Sequence, residues 1–282
     1  IGVLSSQLLW TQFVRERPRA AELAESAGIA VEAGAAILEI YARDFDVVTK
    51  DDASPLTQAD LASHRIIRDA LARLTPDIPL LSEESADIPF ETRRGWSEYW
   101  LVDPLDGTSN YMHGIPHFAV SIAQQVKRRT EHAVVFDVMR DELFTASRGK
   151  GAFLNQKRIR TSARSSLDEA VLATAFPFRE RGQLQAYARV FQAVFSRTED
   201  FRRAGTASLD LAWVAAGRMD AYFEIGLKPW DVAAGALLVR EAGGVVSDFE
   251  GSDAIENAHS ILAAPFKLMT PLRKIIEPRW AK

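Results

Sequence analysis

Residues 100 to 123 read WLVDPLDGTSNYMHGIPHFAVSIA, so that two apolar runs flank an acidic turn. Asp103 and Asp106 are three residues apart across a bend that Pro104 restricts, and their carboxylates can converge on one point together with the Leu105 carbonyl. Oxygen ligands of this kind suit Mg²⁺. The turn therefore predicts a cation site at the end of a strand.

Gly107 and Thr108 add a candidate anion site to the same turn. Glycine lets a ligand approach the backbone closely, and the N–H groups at the start of a helix attract anions. An isolated Asp-Pro-x-Asp-Gly segment is more often an ordinary turn, so the rest of the chain has to supply context. Asp231, the predicted N-cap of a helix rich in small apolar residues, supplies some of it.

The composition favours a small-molecule partner. The chain of 282 residues holds 34 basic and 38 acidic residues, with a net charge of −4 and no long block of either sign. This balance is untypical of proteins that bind nucleic acid or anionic membranes. Because the chain has no cysteine, a metal has to bind oxygen or imidazole. No apolar run reaches the roughly 18 residues of a membrane span and no signal peptide is evident, which predicts a cytoplasmic protein.

Hydrophobic periodicity predicts an α+β protein whose two halves differ in pattern. We expect an extension at 1–19, a half with helices against a mostly antiparallel sheet at 20–160, and an α/β half at 161–282, together one functional unit. The predicted helices lie at 20–41, 58–74, 183–195, 206–216 and 231–242. The predicted strands lie at 80–81, 99–102, 117–123, 133–138, 142–146, 171–175, 220–224, 245–248 and 260–264.

Three segments in this order resemble the inositol monophosphatase family. They are the quoted run at 100–123, EIGLKPWDVAAGALLVREAGG at 224–244 and SEES at 82–85, and the likeness covers about residues 20–270. The resemblance implies the layered αβαβα fold of the inositol monophosphatase and fructose-1,6-bisphosphatase type. It also implies a lithium-sensitive, Mg²⁺-dependent phosphatase that acts on a small phosphate monoester, as a homodimer.

The resemblance further implies a metal-ligand set. Glu83, Asp103 and the Leu105 carbonyl would hold a first Mg²⁺, while Asp103, Asp106 and Asp231 would hold a second. Asp103 would therefore bridge the two ions. Two such ions can stabilise both the attacking and the leaving oxygen of a displacement at phosphorus.

Further roles carry over to the water and the phosphate. Thr108 and Asp60 would orient and deprotonate the attacking water, and Glu83 would be a further catalytic residue. Asp60 would also lie near a third, loosely held Mg²⁺. The N–H groups of Gly107 and Thr108 would bind the phosphate.

The substrate side resembles the family as well. Glu224 matches a carboxylate that accepts hydrogen bonds from ring hydroxyls, and Gly205, Thr206 and Ala207 match a backbone stretch beside the ring. Lys50 resembles a loop lysine near the metals. The pair Arg202 and Arg203 is interpreted as solvated, although one of them could face a substrate.

The resemblance divides within the chain. Residues 36–67, 74–85 and 99–108 resemble the bacterial branch that hydrolyses 3′-phosphoadenosine 5′-phosphate, whereas the chain after Thr108 resembles the bacterial inositol-1-phosphatase branch. A designed chimera, an ancestor or a natural mosaic would each read this way.

We favour hydrolysis of inositol 1-phosphate to inositol and phosphate, because Glu224 and Ala207 lie in the second part. The adenosine bisphosphate, a sugar phosphate and histidinol phosphate are alternative substrates. A catalytically idle regulatory protein is a further alternative, which the complete set of acidic residues disfavours.

Overall fold

The computed structural model describes residues 18–43, 47–49, 55–86, 88–255 and 259–280. Its helices are α1 (Pro18–Tyr41), α2 (Gln58–Leu74), α3 (Phe90–Arg93), α4 (Thr108–Met112), α5 (Leu184–Phe195), α6 (Ala207–Ala215), α7 (Pro229–Glu241) and α8 (Phe266–Trp280). Its strands are β1 (Val47–Thr49), β2 (Pro55–Thr57), β3 (Leu80–Ser82), β4 (Glu98–Asp106), β5 (Ala119–Val126), β6 (Arg129–Asp137), β7 (Glu142–Ser147), β8 (Gly151–Leu154), β9 (Lys157–Arg158), β10 (Val171–Thr174), β11 (Asp200–Arg202), β12 (Ala221–Ile225), β13 (Gly244–Ser247) and β14 (Ser260–Pro265).

These elements form five layers in the order αβαβα. Helices α1 and α2 cover the outer face of a seven-stranded sheet with strand order β3-β4-β5-β6-β7-β8-β9. Helices α6 and α7 lie between this sheet and a five-stranded sheet of order β11-β10-β12-β14-β13, whose outer face is covered by α5 and α8. The α+β class and the layered fold expected from the sequence are confirmed.

The central helix layer is buried on all sides and mostly apolar, because sheets cover it on both faces. In α7 the residues from Asp231 to Val239 are all buried. Gly235 allows α6 to approach, since a Cβ at this position would lie 2.5 Å from the Leu211 Cβ. A larger residue at 235 would push the two central helices apart.

Most predicted elements form close to their expected bounds, but two differences bear on the site. The apolar run that was expected to end at Asp103 and Pro104 continues to Asp106 as β4, with a shift in its pairing to β5. Asp231 is not an N-cap: α7 begins at Pro229, which puts Asp231 at its third residue. Proline at the first position suits a helix start, because its missing N–H has no partner there in any case.

Helix α8 was not predicted. It contains Pro271 and Pro278, each of which removes an intrahelical donor. Leu268, Leu272 and Ile276 are buried in the core outside the five-stranded sheet and hold the helix there.

Some predictions fall outside the described residues. They are Lys50 and residues 1–17 of the expected extension. Within the described ranges, no helix is both long and apolar enough to cross a bilayer.

Candidate active site

A cavity of about 530 Å³ opens where β4, β12 and α7 meet. One wall is acidic, one is backbone with small side chains, and the rim carries aromatic and basic side chains. The residues that matter below are Glu83, Asp103, Leu105, Asp106, Gly107, Thr108, Phe176, Phe178, Arg179, Arg203, Gly205, Ala207, Glu224 and Asp231.

The irregularity in β4 aims two carboxylates at this cavity. In a regular strand, residues three apart point to opposite faces. Asp103 pairs with Ser121 and Asp106 with Ala119, so two residues of β4 oppose a single residue of β5 between these pairs. The extra residue is a β-bulge, which lets both aspartates line the same cavity.

Parallel pairing brings Glu83 to the same edge. Strands β3 and β4 are parallel, with Ser82 opposite Val102. Glu83 and Asp103 each follow these paired residues directly, and parallel strands end at a shared edge of their sheet. Glu83 begins the short 3₁₀ turn after β3, and its charge raises the pKa of Asp103.

Asp231 enters from the central helix layer. Its Oδ2 accepts a hydrogen bond from the Lys228 N–H at 2.8 Å, which closes the first turn of α7. Arg179 Nη1 lies 3.6 Å from the same oxygen. Asp231 is thereby held at the cavity wall from two directions.

The three aspartates are buried and repel one another. Burial raises the pKa of Asp103 well above its usual value, and the charges of Glu83, Asp106 and Asp231 raise it further. Burial likewise raises the pKa values of Asp106 and Asp231, which the Arg179 guanidinium partly offsets. Carboxylates in this arrangement bind either protons or cations.

The donor set fits a hard cation. One carboxylate oxygen of each aspartate accepts a hydrogen bond from a backbone N–H. The donors are the N–H groups of Leu105 for Asp103, Ser208 for Asp106 and Lys228 for Asp231. The second oxygen of each could bind a cation, and an all-oxygen set suits Mg²⁺. Within the described residues, no three acidic or histidine side chains already have metal-ligand geometry. A cation would therefore have to draw these carboxylates together.

Thr108 and Asp60 form a pair at the edge of the acidic wall. Thr108 Oγ1 lies 3.2 Å from Asp60 Oδ1 and 3.0 Å from the Leu105 carbonyl oxygen. Asp60 is buried, and its Oδ2 accepts hydrogen bonds from Thr57 N at 2.7 Å and Thr57 Oγ1 at 2.5 Å. The capping box at the start of α2 thus fixes Asp60 with Oδ1 directed at Thr108.

Gly107 has a left-handed backbone with φ of +94°. A Cβ here would lie 2.5 Å from Thr206 Oγ1 and 3.0 Å from the His117 carbonyl oxygen. Only glycine meets both requirements without displacing its neighbours.

Glu224 lies on β12 and lines the same cavity as the three aspartates. It is buried, and its Oε2 accepts a hydrogen bond of 2.5 Å from the Tyr222 hydroxyl. Burial raises the Glu224 pKa to about 7, and this hydrogen bond opposes the rise. The described cavity therefore carries a further acidic group, which the charge of Asp106 also affects.

Comparison with known proteins identifies the family of this chain. The model of the inositol monophosphatase family matches residues 20–281. The chain belongs to the inositol monophosphatase family. It is 50% identical over 232 residues to the Nus factor SuhB of Pseudomonas aeruginosa, covering 81% of this chain and 85% of the relative.

Solved structures of similar proteins support the same family assignment. The extragenic suppressor protein SuhB of Bartonella henselae has a TM-score of 0.85 and 39% identity, covering 91% of this chain and 98% of that one. The inositol monophosphatase of Anabaena has a TM-score of 0.83 and 32% identity, covering 93% and 97%. The family resemblance inferred from the sequence motifs is confirmed.

One residue expected beside the substrate does not line the cavity. Thr206 is buried, and its hydroxyl donates to the His117 carbonyl oxygen at 2.9 Å. Its neighbours Gly205 and Ala207 do line the cavity. The family segment is thus at the cavity, with the Thr206 side chain turned into the protein.

Several cavity residues were not predicted. Phe176, Phe178 and Arg179 follow β10, and the loop between β11 and α6 supplies Arg203. Both arginines are exposed, but Arg202 pairs with Asp200 outside the cavity, whereas Arg203 lines the cavity as the alternative interpretation of this pair expected. The signal in the sequence was the FPFR run at 176–179, in which two aromatic residues flank a proline, and the structure exposes both rings.

His117 is a buried histidine behind this family site. Its ring packs edge-on against Trp213, and its Nε2 has no hydrogen-bond partner within the described residues. Burial, followed by the charge of Arg140, lowers the His117 pKa to about 4. The folded chain therefore keeps this ring neutral at pH values where an unfolded chain protonates it.

This difference predicts a loss of stability in acid. Because the folded pKa lies below the unfolded value of about 6.5, the free energy of unfolding falls as pH drops from 6.5 toward 4, by about 2 kcal/mol at pH 5. The Tm of the native chain should drop more between pH 7.5 and 5 than that of His117→Asn. Exposed His113→Asn is the control and should behave like the native chain. Equal drops in all three proteins would contradict the prediction.

Proposed function

We propose that the protein is a Mg²⁺-dependent phosphomonoesterase that hydrolyses inositol 1-phosphate to inositol and phosphate. One observation carries the proposal: Asp103, Asp106 and Asp231 are buried together on one cavity wall, with the Thr108–Asp60 pair at its edge. Membership of the inositol monophosphatase family supports the reaction class.

The proposed ligand roles are those that the family resemblance implies, and the acidic wall supports them. Glu83, Asp103 and the Leu105 carbonyl would hold one Mg²⁺, and Asp103, Asp106 and Asp231 another. Bound Mg²⁺ would neutralise the acidic wall and stabilise the charge that develops on the phosphoryl oxygens.

Side chains of the protein would orient and deprotonate the attacking water. When the Thr108 hydroxyl donates to Asp60 Oδ1, its oxygen can accept a hydrogen bond from a water. As that water attacks phosphorus, its proton would pass through the Thr108 hydroxyl to Asp60. The bond from phosphorus to the alcohol oxygen would break, and this oxygen would take up a proton from solvent to give inositol. The backbone N–H groups of Gly107 and Thr108 would orient the phosphate.

Glu224 is the proposed specificity group. Its carboxylate would accept hydrogen bonds from the inositol hydroxyls, beside the backbone of Gly205 and Ala207. A hydrogen bond to a charged group is worth about 1.5 to 3 kcal/mol. Its position on β12, outside the proposed set of metal ligands, supports a role in substrate choice rather than in bond cleavage.

Glu224→Gln should lower kcat/KM for inositol 1-phosphate by roughly 10- to 100-fold, because one acceptor oxygen becomes a donor. An aryl phosphate without ring hydroxyls should be hydrolysed almost as before. Steady-state kinetics on both substrates check this. Equal losses on the two would assign Glu224 to the catalytic machinery or the fold.

A second candidate substrate is 3′-phosphoadenosine 5′-phosphate. Phe176 and Phe178 are exposed at the cavity rim, and Arg179 and Arg203 bring positive charge there. Aromatic rings and arginines favour a flat, anionic leaving group. Phosphate release from the adenosine bisphosphate and from inositol 1-phosphate, measured side by side, separates the two.

The names of the relatives raise a regulatory candidate. The P. aeruginosa relative is called a Nus factor, and a fold can serve such a role without catalysis. The complete set of carboxylates supports an enzyme. A variant without phosphatase activity would still perform a purely regulatory function, but it would lose any function that depends on catalysis.

The remaining properties belong to the same proposal. We propose inhibition by lithium, a homodimer, a cytoplasmic location and no nucleic-acid partner. Because a relative is called a Nus factor, the expected absence of a nucleic-acid partner should be tested by a direct binding measurement.

A further inference from the structure

Tyr222 and Glu224 are neighbours on one face of β12, because residues two apart in a strand share a face. Tyr222 is fully buried, and its hydroxyl donates to Glu224 Oε2 at 2.5 Å. Since Glu224 lines the cavity, this bond fixes one carboxylate oxygen and leaves Oε1 to meet a substrate.

We propose that Tyr222 is a positioning residue for substrate choice, which holds Glu224 so that Oε1 faces the hydroxyls of the leaving alcohol. The inference rests on the proposed function of Glu224. It adds a group that touches no substrate and acts through the carboxylate alone.

The charged groups around Glu224 show why a hydrogen bond from Tyr222 would be needed to position its carboxylate. The charged groups that act on Glu224 are Asp106, which repels it, and Arg179 and Arg203, which attract it. Asp210 also faces this region: it is fully buried, and within the described residues neither of its carboxylate oxygens has a hydrogen-bond partner. Without the Tyr222 hydroxyl, the two arginines at the cavity would be the attractive partners left to Glu224.

Tyr222 is suited to be a permanent donor. Burial and the nearby acids Glu224 and Asp210 raise its pKa well above the usual value. The phenol is therefore protonated at neutral pH, and its proton can be directed at Oε2.

Tyr187 offers a matched control. It is a second buried tyrosine against the same sheet, and its hydroxyl lies 2.5 Å from Thr174 Oγ1 rather than from a carboxylate. Thr174 Oγ1 in turn donates to the Phe223 carbonyl oxygen. Tyr187→Phe therefore removes the hydroxyl of a buried tyrosine whose hydrogen-bond partner is Thr174 and not Glu224.

Tyr222→Phe should lower kcat/KM for inositol 1-phosphate by about 10-fold, mainly through KM, and change turnover of an aryl phosphate by less than about twofold. Tyr187→Phe should leave the ratio of the two substrates unchanged. Thermal unfolding and the aryl phosphate activity report that each variant is folded. Tyr222→Leu, which also lacks the hydroxyl, serves if Tyr222→Phe does not fold.

A double-mutant cycle tests whether Tyr222 acts through Glu224. In a Glu224→Ala background, Tyr222→Phe should have almost no further effect on the substrate ratio, whereas a structural role would give additive losses. Additive losses, or a Tyr222→Phe enzyme with the native ratio while Glu224→Ala changes it, would overturn this inference alone. A Glu224→Ala enzyme with the native ratio would overturn the proposed role of Glu224 and this inference with it.

Discussion

Asp103→Asn should reduce kcat for phosphate-ester hydrolysis by at least about 10³, because several kcal/mol of charge stabilisation at the reacting phosphate would be lost. Asp103 is the one ligand that both proposed Mg²⁺ sites share. It is buried, and its pKa is raised by burial and by Glu83, Asp106 and Asp231. Asparagine keeps the size of the side chain and an oxygen that can accept the Leu105 N–H.

The fold should persist in this variant. At neutral pH the buried charge of Asp103 opposes folding, since its folded pKa lies above the unfolded value. In EDTA, the Tm of Asp103→Asn should therefore equal or exceed that of the native chain. Mg²⁺ should raise the native Tm and leave that of the variant nearly unchanged.

Asp137→Asn is the matched control for this substitution. Asp137 is a fully buried aspartate at the end of β6 in the same sheet, and it pairs with Arg140 at 3.0 Å. Its replacement should leave kcat within about twofold, in contrast to the loss expected for Asp103→Asn, because Asp137 is not among the residues that line the cavity. An Asp103→Asn enzyme that retains a third of native kcat at saturating Mg²⁺ would contradict the two-metal assignment.

Thr108→Val should lower kcat by about 10² or more, the usual contribution of a positioned proton-transfer group. Valine matches the shape of threonine but cannot accept a hydrogen bond from water or donate to Asp60. The KM should change little, because the phosphate would still meet the backbone N–H groups of Gly107 and residue 108.

Thr108→Ser provides the comparison, since it keeps the hydroxyl and should retain most of the activity. The measurement is kcat and KM for all three proteins on one substrate at saturating Mg²⁺. If valine and serine give the same kcat, the hydroxyl has no part in activating the water.

The acidic turn shows what local sequence can and cannot predict. A strand that leads into Asp103 and Asp106 follows from an apolar run before an acidic segment. The β-bulge does not, because it depends on how β4 pairs with β5, and without it the two aspartates would point to opposite faces. The sequence pattern accordingly ended the strand at residue 102, four residues before its observed end at Asp106.

The rest of the site could be predicted only in part, for a similar reason. The family motifs identified the carboxylates at Glu83, Asp103, Asp106 and Asp231. Tyr222 looks like an ordinary core residue in a buried strand, and only the fold reveals that its hydroxyl meets Glu224.

The rim shows the same limit. Arg179 and Arg203 come from loops that meet at the cavity through tertiary packing. No local pattern distinguishes such arginines from solvated ones.

The most direct measurement is phosphate release from inositol 1-phosphate by the purified chain, first with Mg²⁺, then after EDTA, then with Mg²⁺ restored. We predict turnover that EDTA abolishes and Mg²⁺ restores, because the buried carboxylates need a cation to bind the phosphate. Turnover that persists undiminished in EDTA, or no release from any phosphate monoester while the chain is folded and Mg²⁺ is present, would contradict a metal-dependent phosphatase.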